Sequence, residues 1–190
     1  MKNVLKKSRS ISWNEAKKSE WDINAPYWIL IMQRKLDPFR TFVTNRAILD
    51  LLPKKKGLKV LDAGCGEGYL SRMMARKKAR VWGIDFNPKF IRAALGEEER
   101  RPKGIRYDVG DIRKMTLPAA FFDVVVSHHS LNELERPEQA LKEFYRVLKK
   151  GGRALILFLH PCFNFTEKPD AGKPPTLSIL YFFHKWKVER

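Results

Sequence analysis

Long apolar runs are missing from this 190-residue chain. The best candidates, Val124–Val126 and Ala154–Leu159, are strand-sized, far short of the roughly 18 residues a membrane span requires. The N-terminus, MKNVLKKSRSISWNEAKKSEW, is basic but lacks the continuous apolar stretch of a secretory signal, so no membrane partner and a cytoplasmic location are expected. Cysteine is scarce. Cys65 and Cys162 form no CxxC and no Cys/His cluster at metal-ligand spacing, and no metal is expected. Acid is the minority charge, with 21 Asp and Glu against 38 Lys and Arg and a formal net charge of +17. The cations fall in scattered short clusters: Lys54–Lys56, Arg76–Lys78, Arg100–Lys103, Lys149–Lys150 and Lys185–Lys187. Such clusters steer toward nucleic acid or an anionic substrate, or simply solvate the surface. No aromatic-interleaved basic patch or zinc finger favours the nucleic-acid reading.

What is present is enough apolar material for one globular domain, 44% hydrophobic and 12% aromatic. Residues 1–22 read as an irregular arm with a short helical stretch near Asn14–Lys18, and residues 25–38 as a short apolar helix. Arg40 to Leu52 is amphipathic and ends at Pro53. From there aliphatic strands and helices alternate. Lys59–Asp62, Arg80–Ile84, Ile105–Val109, Phe122–Ser127 and Arg153–Leu159 are the strands, with Gly151-Gly152 ending the helix before the fifth. This order predicts an α/β, doubly wound, Rossmann-like and mostly parallel sheet with helices on both faces. Three parts are expected: an arm with cap helices over 1–56, a binding core over 57–160, and a loop and aromatic lid or a truncated C-terminal segment over 161–190. Within the last, Leu177–Phe183 reads as a strand or as the start of the lid.

The most informative segment is Asp62-Ala63-Gly64-Cys65-Gly66-Glu67-Gly68, between a strand and a helix. Glycines there let a ligand approach the backbone, with Cys65 the small residue between two of them. The spacing is GxGxG rather than the GxGxxG of dinucleotide sites, and no GK[S/T] follows. Asp62 sets a carboxylate beside the loop, which suits a cationic amino group and disfavours a pyrophosphate. Asp85, after strand two, can accept both hydroxyls of a ribose, and Phe86 can cover an adenine face. Asp111 can accept from the adenine amino group, with Ile112 as an apolar wall. Singly, each acid is equally a helix cap or a turn residue. Together, after three successive strands, they describe an adenosine pocket with an extra carboxylate at its amino-acid end.

On VLDAGCGEGYLSRMMA, VWGIDFNPKFI, IRYDVGDI, FFDVVVSHHSLNEL and RVLKKGGRALILFLHPCF, the chain resembles the class I S-adenosylmethionine-dependent methyltransferases of the type 11 subgroup, over about residues 20–163. The resemblance implies S-adenosylmethionine as cofactor. It implies that Asp62, Gly64, Gly66 and Gly68 line its methionine and ribose side, and that Asp85, Phe86, Asp111 and Ile112 hold the nucleoside. It also implies that Ser127 and His128 face the methionine or the substrate, with Tyr27 and Arg40 as further wall candidates. Members normally continue past strand five with another helix and two antiparallel strands. Only 31 residues follow Leu159 here, so the last helix and strands are expected to be lacking. A bare sheet edge of that kind favours a homodimer.

Methyl transfer from a sulfonium compels no catalytic residue, since the cofactor carries the chemistry. Candidate bases are nevertheless His128, His129 and His160, with Glu133 near the same rim. The acceptor pocket is expected among Trp28, Phe163, Phe165, Tyr181 and Phe182. Methylation of a small molecule is the leading expectation. An RNA acceptor, or a non-catalytic S-adenosylmethionine-binding subunit, is the alternative.

Overall fold

The computed structural model describes residues 13–159 and 181–187. Strands β1 (Lys59–Ala63), β2 (Arg80–Asp85), β3 (Arg106–Val109), β4 (Phe122–His128), β5 (Leu148–Leu159) and β6 (Tyr181–Lys187) form one sheet in the order β3-β2-β1-β4-β5-β6. The first five are parallel and β6 runs antiparallel to β5. Successive strand residues point to opposite faces, and both faces are apolar. Val60, Val81, Val124 and Leu155 pack with Leu70 and Met74 of α3 (Tyr69–Arg76) and Ile91 of α4 (Pro88–Arg100). Leu61, Trp82, Val125 and Ile156 pack with Ala140, Phe144 and Val147 of α5 (Pro137–Val147). The doubly wound reading holds. Strand order reverses between β1 and β4, where a crevice opens at the carboxyl ends of parallel strands.

Several local expectations change. The supposed arm and short helix are one continuous helix, α1 (Trp13–Gln33), with Pro26 inside it. Proline cannot donate to the carbonyl four residues back. That carbonyl, of Asp22, instead accepts from Lys89 Nζ at 2.6 Å, while Asp22 Oδ1 accepts from Asn87 Nδ2 at 3.0 Å. The break in the helical ladder thus becomes the point at which α1 is tied to the start of α4. The following helix is also not uniform: a π-helical turn, Arg40–Thr44, leads into α2 (Asn45–Leu51).

At the far edge, Gly151-Gly152 does not separate helix from strand. α5 stops at Val147, and β5 begins at once and runs through the glycine pair. Gly151 takes φ +74°, and a Cβ on Gly152 would press on the Lys149 carbonyl at 2.8 Å. The expectation that the usual last strands are lacking is corrected in part by β6, which pairs from Leu159↔Tyr181 to Arg153↔Lys187 and covers the outer edge of β5. The same pairing decides between strand and lid near residues 177–183, in favour of a strand from Tyr181. His160, Phe163 and Phe165 lie outside the described residues.

In the loop after β1 the strictest requirement for glycine is at Gly64. Gly64 has φ +81°, and a Cβ there would coincide with the side chain of Ser130. Ser130 is fixed because its hydroxyl donates to the Ala63 carbonyl at 2.7 Å. Gly64→Ala should therefore lower the unfolding free energy by about 1–3 kcal/mol in urea titration. Gly96, in the middle of α4 with nothing near its missing Cβ, should do the opposite. Gly96→Ala is expected to add about 0.5–1 kcal/mol.

Candidate functional site

A cavity of about 970 Å³ lies at the carboxyl ends of β1, β2 and β4, with α1 and residues 36–40 across it. Asp62, Gly64, Cys65 and Gly66 line one wall, and Asp85, Phe86, Asp111 and Ile112 the next. Arg40, His128 and His129 close the far side, with Tyr27, 65% exposed, at the rim. Two expected residues are not in the wall. Gly68 is the cap of α3 at φ +80°, its carbonyl accepting from the Tyr107 hydroxyl at 3.3 Å. Ser127 is fully buried and shares a 2.6 Å hydrogen bond with Ser130, which takes its place on the surface of the cavity. Glu133, near the same rim, accepts from the Trp21 indole at 3.2 Å and faces Lys17 at 3.6 Å.

Asp62 and Asp85 are the unusual groups. Both are buried, 1% and 6% exposed. Asp62 Oδ2 accepts from the Ser71 hydroxyl at 2.5 Å. Asp85 accepts from the backbone N–H of Gly66 and of Asn87, each at 2.9 Å. Burial outweighs these bonds and pushes Asp62 up to about 7 and Asp85 up to about 6. Each carboxylate keeps lone pairs for further donors. Glu67 adds a third acid: Arg72 pairs with its Oε2, while Oε1 has no hydrogen-bond partner. Gly66, at φ +55°, has open space where a Cβ would stand. A loop open to close approach, beside buried acids short of donors, fits a ligand that brings hydroxyls and a positive charge.

Asp111 differs. Arg113 grips both its carboxylate oxygens, through Nε at 2.9 and 3.0 Å and Nη2 at 2.6 Å. Burial alone would raise its pKa, but the Arg113 bonds and charge outweigh it and hold the carboxyl below its usual range. Any contact with an adenine would use the lone pairs that Arg113 leaves.

The histidines are arranged for positioning. His128 Nδ1 lies 2.8 Å from the Tyr69 hydroxyl and Nε2 3.0 Å from Thr44 Oγ1. Tyr69 donates to Asn45 Oδ1 at 3.2 Å and accepts from Arg40 Nη1 at 3.5 Å. With that donor used, Nδ1–H donates to Tyr69 and Nε2 accepts from Thr44, which is the neutral imidazole. Burial first, then the Arg40 charge, drives His128 well below its ordinary range and His129 down to about 3. Neither is a strong proton acceptor at neutral pH. His129 sits at φ +63°, its N–H donating to the Leu157 carbonyl at 2.8 Å. Arg40 itself is clamped, Nε 3.2 Å from Asp37 Oδ2 and its guanidinium 4.8 Å from the centre of the Trp28 ring. Sequence reasoning missed Thr44, Asn45 and Tyr69. Only the position of Tyr69, directly after the last loop glycine, marked it in advance.

Fold and site together define a class: a doubly wound domain with an acid-flanked GxGxG loop at its switch point. The profile of the methyltransferase domain family matches residues 61–156. The chain belongs to this family, the type 11 branch of the class I S-adenosylmethionine-dependent methyltransferases, whose cofactor is S-adenosylmethionine. It is 32% identical to the uncharacterized methyltransferase YdaC of Bacillus subtilis, over 59% of this chain and 62% of that protein. It is 33% identical to a wheat (Triticum aestivum) phosphoethanolamine N-methyltransferase, over 60% of this chain but 23% of the wheat protein. A Haemonchus contortus phosphoethanolamine N-methyltransferase 2, solved with phosphomonomethylethanolamine and S-adenosylhomocysteine, superposes with a TM-score of 0.58 at 29% identity, covering 61% of this chain and 29% of that one. The chain thus spans less than two thirds of these relatives.

The raised acids give the site a pH signature. A folded pKa above the unfolded one stabilises the empty protein at low pH, and that contribution is lost as pH rises through about 6 to 7. A cationic, hydroxyl-bearing ligand needs the ionised acids. Affinity for S-adenosylmethionine should therefore fall by up to about tenfold per unit as pH drops from about 7 to 6, and by up to about a hundredfold per unit below that, measured by calorimetry between pH 5 and 8. A flat profile would remove these carboxylates from the binding site.

Proposed function

We propose that this chain transfers the methyl group of S-adenosylmethionine to a small molecule with an apolar or planar body. One observation carries the proposal: the cavity that the acidic loop lines is also walled by Trp21, Trp28, Ile31, Met32 and Phe39, which give it an apolar and aromatic compartment wall. When bound, S-adenosylmethionine supplies a methyl group on a sulfonium, open to in-line attack. Asp85 would take the ribose hydroxyls, Phe86 and Ile112 the adenine faces, and Asp62 with the Gly64–Gly66 backbone the amino-acid end. Arg40 stands on the compartment side, where its charge suits a carboxylate. The aromatic wall would exclude water and hold the acceptor, while the Tyr69–His128–Thr44 bonds keep Arg40 and the π-helical turn in place.

Weakly basic histidines suit an acceptor that needs little help to lose a proton. The walls of the compartment come from residues 21–39, ahead of the family match at 61–156. The acceptors named for the relatives therefore do not carry over.

The test is turnover to S-adenosylhomocysteine, read by mass spectrometry with a panel of phenols, thiols and amines. We expect turnover with planar apolar acceptors. Trp28→Ala should raise the acceptor KM by about tenfold and leave cofactor affinity within about twofold. Turnover only with RNA would replace the small-molecule reading, and cofactor binding without any turnover would replace it with a binding subunit.

A further inference from the structure

The cationic clusters that lie scattered along the sequence converge in the fold. In a parallel sheet, the connections leading into successive strands all turn at the strands' amino ends, here the end opposite the cavity. Lys54, Lys55 and Lys56 precede β1. Arg76, Lys77, Lys78 and Arg80 lead into β2, and Arg100, Arg101, Lys103 and Arg106 into β3. Lys149 and Lys150 open β5. All except Lys149, which is half-buried, are exposed.

These loops adjoin one another. The Gly57 N–H donates to the Lys78 carbonyl at 2.9 Å, Lys59 stands in register with Arg80, and Trp82 with Arg106. Arg80 and Arg106 flank the Trp82 ring, 6.0 and 5.6 Å from its centre. From β3 to β5 the band crosses five strands, roughly 20 Å at the usual strand spacing. That is about six phosphates along one strand of a duplex.

Exposed acids such as Glu99 apart, the acids nearest these segments are turned onto the protein's own groups. Glu98 Oε1 accepts from the N–H of Lys103 and Gly104, each at 2.6 Å, and of Ile105 at 3.1 Å. Asp123 accepts from the Lys59 N–H at 2.8 Å and from Lys149 Nζ at 2.7 Å. Glu97 pairs with Arg100 at 2.5 Å. The outward charge of the band is therefore strongly positive, in a chain of net charge +17.

A bilayer surface would call for apolar side chains to insert. Among the described residues most exposed large apolar groups, such as Ile23, Tyr27, Leu36 and Phe42, belong to the elements before β1, while Leu95, Val109 and Tyr145 stand singly on α4, β3 and α5. None of these lies within the cationic segments, and they form no apolar ridge beside them. Rows of exposed lysine and arginine without an apolar ridge match a phosphate backbone. We propose that the amino-terminal end of the sheet is a docking surface for the phosphate backbone of a nucleic acid, read without regard to sequence, with the cavity left free at the opposite end. This surface is independent of which acceptor the cavity takes.

The test uses the full chain and a fluorescein-labelled single-stranded RNA of about 20 nucleotides, followed by anisotropy across a salt series. Phosphatidylserine-containing vesicles run in parallel. One variant combines Lys55→Glu, Lys78→Glu, Arg101→Glu and Arg106→Glu. A control with the same change in charge combines Arg34→Glu, Lys35→Glu, Arg92→Glu and Lys142→Glu. Circular-dichroism melting shows that both are folded. Each phosphate contact contributes about 0.7 to the slope of log affinity against log salt on single strands. The band variant should lose about a hundredfold in affinity and about 3 in that slope. The control should stay within about tenfold of wild type. Equal loss in both variants, or no binding by the wild type, would overturn the proposal. Stronger binding to vesicles than to RNA, abolished in the band variant, would overturn it in favour of a membrane surface.

Discussion

Two carboxylates held inside the protein, with fewer donors than their lone pairs can use, set the terms for the rest of the site. Asp62 is the penultimate residue of β1 and Asp85 the last of β2, and all of β1 pairs with Arg80–Ile84 of β2. Asp85 reaches across to the Gly66 N–H, so the ligand loop is anchored to the second acid rather than merely lying near it. Asp62 is anchored in turn by Ser71 on α3. Burying two acids together is unfavourable, as their raised pKa values record. The arrangement makes sense where a ligand completes it with hydroxyls and positive charge.

The far side of the cavity follows another logic. No charge develops on His128 or His129, because burial and Arg40 oppose protonation. The imidazole of His128 instead joins four elements: the π-helical turn through Thr44, α3 through Tyr69, α2 through the Tyr69–Asn45 contact, and the end of β4 itself. The extra residue of a π turn is costly in a helix and recurs at functional sites. Here it brings Arg40 and Thr44 to the same network. Above them, α1 is tied at Asp22 to the start of α4 and at Trp21 to Glu133. α1 is therefore fixed over the cavity by contacts with groups distant in sequence.

Some of this was legible in the sequence and some was not, for identifiable reasons. The glycine spacing, the acids after strands one to three and the alternation of aliphatic strands with helices are local signals; the alternation led to the fold, and the glycines with the acids led to the cofactor. Pro26 read as a helix boundary because its missing hydrogen bond has no local remedy. The remedy, Lys89, lies 63 residues further along the chain and 67 from the carbonyl it satisfies. The hydroxyl and amide partners of His128 were invisible for the same reason, since Thr44 is 84 residues away. In sequence β6 reads equally as a strand or a lid, because its apolar run follows a long proline-containing stretch and has no telling period, and only pairing with β5 identifies it. The charge pattern was read as scatter because the clusters are spaced by whole βα units, and that spacing is what brings them to one end of a parallel sheet.

The account turns on Asp85 and the glycine loop forming an S-adenosylmethionine site. Calorimetric titration of S-adenosylmethionine, S-adenosylhomocysteine and NAD into the wild type and Asp85→Ala tests that most directly. Binding of the first two in the micromolar range, no binding of NAD, and a loss of at least about tenfold in the variant are the expected results. Equal affinity in Asp85→Ala, or selective binding of NAD, would contradict the account.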